Sequence, residues 1–227
     1  PVRKDPRFTD GNGVCVPCHM VSGKRWDTFY RIPPCGTFTE IRETGSQKAD
    51  CTGCHMPRVE KETARAGETG YRLHLWGGGH DPDMVRKALR LEVREGKPGS
   101  ENRKRYSVTL TNIGADHFLP TGTPDRHLTV TFDLLNSRRK VIKEKTFVLK
   151  RTIMWRPFII DLWDTRLPKD EPRKYAFEFR TDSNPSPAFL KIAVAYHLLD
   201  EKRRARIGYQ NKEPISYQLY ERELEVR

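Results

Sequence analysis

The sequence predicts an α+β, mainly β fold in two parts. A small irregular domain with short helices covers residues 1–86, and an immunoglobulin-like antiparallel β-sandwich covers residues 87–227. Three observations carry this. Aliphatic residues before about Val85 are too sparse to build an ordinary core. From Leu89 onward, apolar and polar residues alternate in short runs separated by turn-rich connections. The sparse first part also holds two copies of Cys-x-x-Cys-His, at Cys15–His19 and Cys51–His55.

Taken in order, Pro1 to Asn12 reads as a loop, and Lys24 to Arg31 as a short helix ended by Pro33-Pro34. Thr37-Phe38-Thr39-Glu40 has the pattern of a capping box. It opens a short helix that carries Phe38 and Ile41 on one side and stops near Gly45. Asp50 is placed to cap the turn bearing Cys51 and Cys54. Gly77, Gly78 and Gly79 permit a close backbone approach, best explained by a flat cofactor. A phosphate cradle would need a following Lys and Ser or Thr, which are absent. Asp81-Pro82 gives an N-cap with proline at the first helical position, and predicts a short helix through Leu89.

Seven strands follow. Their apolar rows are Leu89, Leu91 and Val93; Tyr106, Val108 and Leu110; Leu128, Val130, Phe132 and Leu134; a less regular run from Lys140 to Leu149; Tyr175, Phe177 and Phe179; Leu190, Ile192, Val194, Tyr196 and Leu198; and Ile215, Tyr217 and Leu219. Trp155 to Glu171 reads as a long connection rich in Trp, Phe and Pro.

The two boxes have what covalent haem attachment requires. Two thiols three residues apart each form a thioether to one porphyrin, and the adjoining histidine places an imidazole under the iron. Cys15, Cys18, Cys51 and Cys54 are then the attachment points for two haems c, with His19 and His55 as proximal ligands. Two porphyrins would also supply the apolar surface that residues 1–86 lack. The alternative is a four-cysteine zinc site. Its cysteine pairs usually stand about 15–20 residues apart, closer than Cys18 and Cys51, and zinc gives no reason for a histidine after each pair. Cys35 is left over and reads as a quiet, half-buried thiol.

Five histidines remain for the distal positions. His74 and His117 lie in loops flanked by Gly and Pro, where a stiff backbone can present a ring to a flat cofactor. His80 is the next candidate, across the glycine turn from His74. His197 is a lesser one, on the small-residue face with Ala193 and Ala195, and His127 begins a strand and reads as structural. Met20 and Met56 follow the box histidines and pack against ring edges more readily than they ligate.

The formal charge of +12, from 42 Lys and Arg against 30 Asp and Glu, suits either a solvated surface or a docking face for an acidic redox partner. The positive residues are scattered without a recognition motif, which argues against nucleic acid. No run of eighteen apolar residues exists, so no transmembrane helix is expected. The opening Pro1-Val2-Arg3-Lys4 reads as a processed terminus.

In sequence order these pieces resemble a family of multihaem c-type cytochromes. Its members place C-x-x-C-H, a short Thr-aromatic-x-Glu helix, C-x-x-C-H-M-P, H-x-x-G-G, and a G-A-G-H-x-x-P-T-G loop at the head of a β-sandwich. The matching residues are Cys15 to His19, Thr37 to Ile41, Cys51 to Pro57, His74 to Gly78, Gly114 to Gly122, and Asp164 to Pro168. Asp116 departs from the family, which has glycine there. The resemblance implies distal histidines at His74 and His117, export with the signal peptide removed, and electron transfer in the periplasm or outside the cell. Partners would be redox proteins or other cytochrome subunits, in a homo- or hetero-oligomer, a larger complex or a filament. The competing function is a haem enzyme that reduces peroxide or a small nitrogen or sulfur oxyanion at an open axial site, assisted by Arg126 or Arg166.

Intact-mass analysis checks the sequence reading directly. Two covalent porphyrins per chain are expected, and bare protein or protein plus zinc would exclude the haem reading.

Overall fold

Period-two alternation after residue 88 becomes two antiparallel sheets in the computed structural model, which describes residues 15, 36–45, 50–62, 69–73, 75, 77–97, 101–154, 160–210 and 213–226. Helices α1 (Thr37–Glu43) and α2 (Cys51–His55) precede a hairpin of β1 (Arg58–Glu62) and β2 (Thr69–Arg72). Helix α3 (Pro82–Ala88) then runs directly into β3 (Leu89–Gly96). The strands that follow are β4 (Arg103–Asn112), β5 (His127–Leu135), β6 (Val141–Met154), β7 (Ile160–Asp164), β8 (Arg173–Arg180) and β9 (Phe189–His197). Helix α4 (Glu201–Ile207) and β10 (Ser216–Glu225) complete the order. One sheet has the order β3-β4-β8, and the other β10-β9-β5-β6-β7.

The inward rows of the two sheets meet in a sandwich-like core. Tyr106, Val108, Leu110, Phe177 and Phe179 come from the three-stranded sheet; Leu128, Val130, Phe132, Leu134, Leu149, Leu190, Ile192, Val194 and Tyr196 come from the other. Phe132 ties the layers together. Its ring stacks on Phe177 at 5.5 Å and meets Phe147 edge-on at 6.2 Å. Val85 of α3, Leu119 and Leu167 extend the same core. Asp81 caps α3 as expected, its side chain accepting from the Asp83 and Met84 amides.

Several expectations are corrected. The Trp155 to Glu171 connection contains β7, an edge strand held by paired charges: Arg151 donates to both carboxylate oxygens of Asp161, at 2.7 and 2.9 Å. Its neighbours Leu162 and Trp163 stay exposed, which hides any inward row. The hairpin β1–β2 was missed because Arg58-Val59-Glu60-Lys61-Glu62 carries a single apolar residue. Helix α4 was missed because it buries nothing. It rests on local signals, an Asp200 cap and Gly208 at φ 66°. The capping box at Thr37 does not form. Gly36 is the N-cap, no side chain caps the helix, and Glu40 is buried toward the sandwich. The expected Lys24–Arg31 helix and Cys35 lie outside the described residues.

Phe132 has no exposed surface, so Phe132→Ala should cost about 3–5 kcal/mol. Chemical denaturation would show this as a lower midpoint with an unchanged slope. A loss under 1 kcal/mol would mean that the sheets are not joined through this ring.

Candidate functional site

The second Cys-x-x-Cys-His box is a single turn of helix, which gives its spacing a physical meaning. Positions i, i+3 and i+4 share a helix face, so Cys51, Cys54 and His55 stand on one side of α2. A five-residue helix has no stability of its own, and both ends are tied down. Asp50 Oδ1 accepts from the Gly53 amide and the Thr52 hydroxyl, each at 2.8 Å. The Thr52 hydroxyl first, then the Gly53 amide, hold the Asp50 carboxyl below its usual range. At the other end, Arg72 Nη1 donates to Thr52 O at 3.1 Å and Met56 O at 3.0 Å. The unexpected β1–β2 hairpin therefore braces the box.

The first box contributes Cys15 to the described residues; Cys18 and His19 lie outside them. Burial, and then the adjacent Cys15 thiol, push the Cys51 thiol up. The leading cysteines of the two boxes thus stand side by side.

His117 comes from the loop after β4. Asn112, fully buried, organises that loop. Its amide donates to Ala115 O at 3.1 Å and His117 O at 2.8 Å, and its oxygen accepts from Ala115 N. The His117 Nδ1 lies 2.9 Å from Phe118 O. A carbonyl can only accept, so Nδ1 carries the proton and the Nε2 lone pair is left for a metal.

These two histidines come together across the chain. The rings of His55 and His117 are 6.3 Å apart at their centroids and 19° from parallel. Two imidazoles on opposite sides of one metal ion, each bonded through nitrogen at about 2.0 Å, have centres about 6 Å apart. With Cys51 and Cys54 on the same helix as His55, the residues present fit a tethered haem.

His74 lies outside the described residues. His80 is exposed, with Nε2 3.5 Å from Arg126 Nη2. His127 and His197 are partners across β5 and β9, stacked at 4.3 Å and 3°. His127 Nδ1 faces Asp125 O, and His197 Nε2 faces the Thr129 hydroxyl. The glycine turn does approach closely, but toward protein. Gly78, at φ 117°, passes along the His55 ring, and a Cβ on Gly79 would fall 2.6 Å from the Tyr196 hydroxyl. Arg166 is unsuited to meeting an oxyanion, because it is buried between Glu40 and Asp164 at 2.5 Å from each.

Sequence reasoning missed Arg72 as the clamp on α2, Asn112 as organiser of the His117 loop, and Glu40 as the buried partner of Arg166. No local pattern announces the first or the last, since Arg72 reaches back 16 residues to Met56 and Glu40 meets Arg166 across 126; Asn112 bonds its loop only 3 and 5 residues ahead, a short-range signal that went unread.

No family model matches the sequence, and no curated protein matches it. Among solved structures, the chain is similar to a penta-haem cytochrome c552 from Thermochromatium tepidum. The TM-score is 0.75 at 20% identity, and the match covers 99% of this chain and 58% of that one. The chain has the fold of a multihaem c-type cytochrome. It spans a little over half the length of that protein. Two further structures, a structural-genomics target and a protein described as ApaA from Bordetella pertussis, each overlay 60% of this chain at 12% identity. They are covered to 85% and 89%, with TM-scores of 0.27 and 0.26.

The stacked pair on β5 and β9 generates a pH dependence. Burial, and then the neighbouring His127, lower the His197 pKa from 6.5 to about 4. Below pH 6.5 the unfolded chain takes up a proton at this ring and the folded chain does not. The associated stability is complete above pH 6.5, falls as the pH drops toward 4, and is level below that. For a partly solvated ring the loss should be about 1–2 kcal/mol. Denaturation midpoints at pH 7 and pH 4.5, compared with those of His197→Gln, would isolate it. An identical pH dependence in the variant would exclude the effect.

Proposed function

We propose that the chain is an electron-transfer dihaem c-type cytochrome. Residues 1–86 carry both haems, and residues 87–227 form a scaffold that lends His117 as a distal ligand. The observation that carries this reading is the His55–His117 pair beside Cys51 and Cys54. Cys15, Cys18 and His19 would hold the other haem through the same motif, with its distal ligand from His74 or His80.

When bound, haem supplies reversible one-electron exchange at iron. The protein side of the work is positional. Cys51 and Cys54 would fix the porphyrin to α2, and Asp50 and Arg72 keep that helix in shape. The bond from His117 Nδ1 to Phe118 O aims Nε2 away from the loop. Held by both His55 and His117, the haem on this box would have no place for a peroxide or an oxyanion, which favours a carrier over a reductase there. The excess of basic residues suits an acidic redox partner or a neighbouring cytochrome subunit in a complex or filament. Covalent haem attachment of this kind implies export to the periplasm or beyond. Among the described residues, no helix is long and apolar enough to cross a membrane.

In the haem-loaded protein both haems should be low-spin in each oxidation state, with negligible carbon monoxide binding. His117→Ala should turn one of the two haems high-spin and CO-reactive and leave the other as it was. A His117→Ala protein with two unchanged low-spin haems would exclude the His55–His117 ligation.

A further inference from the structure

We infer that Glu40 and Arg166 are positioning residues for His117, clamping the segment that presents its ring to the iron. This inference rests on the haem reading above.

The clamp is built from buried charge. Glu40 and Arg166 are 3% and 4% exposed, and Arg166 Nη1 donates to Glu40 Oε1 at 2.5 Å. Both groups also bond the His117 loop. Glu40 Oε2 accepts from the Thr121 hydroxyl at 2.6 Å and from the Phe118 amide at 3.2 Å. Arg166 donates to Pro120 O at 3.2 Å, and its guanidinium lies over the Phe118 ring, 5.2 Å from the centroid. Asp164 holds the opposite edge of Arg166 with both carboxylate oxygens. Helix α1 adds Thr44, which donates to Asp116 O at 2.8 Å, and Thr37, whose hydroxyl meets that of Thr121 at 2.8 Å.

His117 is therefore gripped on both flanks, at Asp116 before it and at Phe118, Pro120 and Thr121 after it. Phe118 is the decisive link. Its amide is bonded by Glu40, and its carbonyl is bonded by His117 Nδ1. A shift of Glu40 would pass through one residue, Phe118, to the carbonyl that sets the tautomer and tilt of the ring. Stability alone is a weak reason for this arrangement, because a buried ion pair is often no better than apolar packing. What it supplies is direction: a carboxylate with several fixed donors permits one placement of the loop.

The test uses the haem-loaded chain and three variants, Glu40→Ala, Glu40→Gln and His117→Ala. Each is checked by mass for two haems, and then by CO binding, low-temperature magnetic spectra and reduction potential. Glu40→Ala should raise the CO-binding fraction at least ten-fold over the parent chain, and free imidazole should restore the low-spin signal. Glu40→Gln keeps the shape and loses the charge. It should move the potential of the His117 haem and alter its magnetic spectrum, and it keeps the question answerable if Glu40→Ala does not fold. Unchanged spectra and potentials in folded Glu40 variants, with His117→Ala still opening one haem, would overturn the clamp alone. Two closed haems in His117→Ala would overturn the ligation itself, and the clamp with it.

Discussion

The ion pair between Glu40 and Arg166 joins two parts of the chain that fold for different reasons. Glu40 belongs to a short helix in a segment with few apolar residues, and Arg166 lies after β7 at the margin of the sandwich. Burial works against the Arg166 charge, but its hydrogen bonds to Asp164 and the adjacent Glu40 carboxylate outweigh it and hold the guanidinium firmly protonated. Two charges at this depth are tolerable only when every donor and acceptor is met. Here the chain meets them with the loop that bears His117.

The remaining architecture follows from where apolar surface is available. After Leu89 the alternating rows build a core with many fully buried side chains, and this rigid body supports the loops at its ends. Among the described residues before Val85 there is no such core. The short elements there are held by caps and clamps: Asp50 and Arg72 on α2, Thr44 and Glu40 from α1. Such a framework is fit to close around a large rigid group. The β-sandwich offers the reference surface against which that group would be placed.

Much of this was legible in the residues. The sandwich strands showed because a half-buried strand writes period two into its sequence, as Leu128, Val130, Phe132 and Leu134 do. The boxes showed because covalent attachment needs cysteine and histidine at fixed spacing. The His117 loop showed through its Gly and Pro punctuation and its family resemblance. Other features were hidden for a common reason. The pairings of His55 with His117, of Glu40 with Arg166 and of Arg72 with α2 are long-range contacts, and no local pattern says which residue meets which. Glu40 even fits a local rule, the capping box, that the buried arginine overrides. Helix α4 and strand β7 were missed because neither carries an inward apolar row.

The central claim is that one iron lies between the rings of His55 and His117. Crystallographic anomalous scattering at the iron edge, measured on the haem-loaded protein, tests it most directly. The account predicts an iron peak between these two imidazoles, within bonding distance of both, with thioether density to Cys51 and Cys54. An iron bound to His55 with His117 turned away, or no iron at this place, would contradict it.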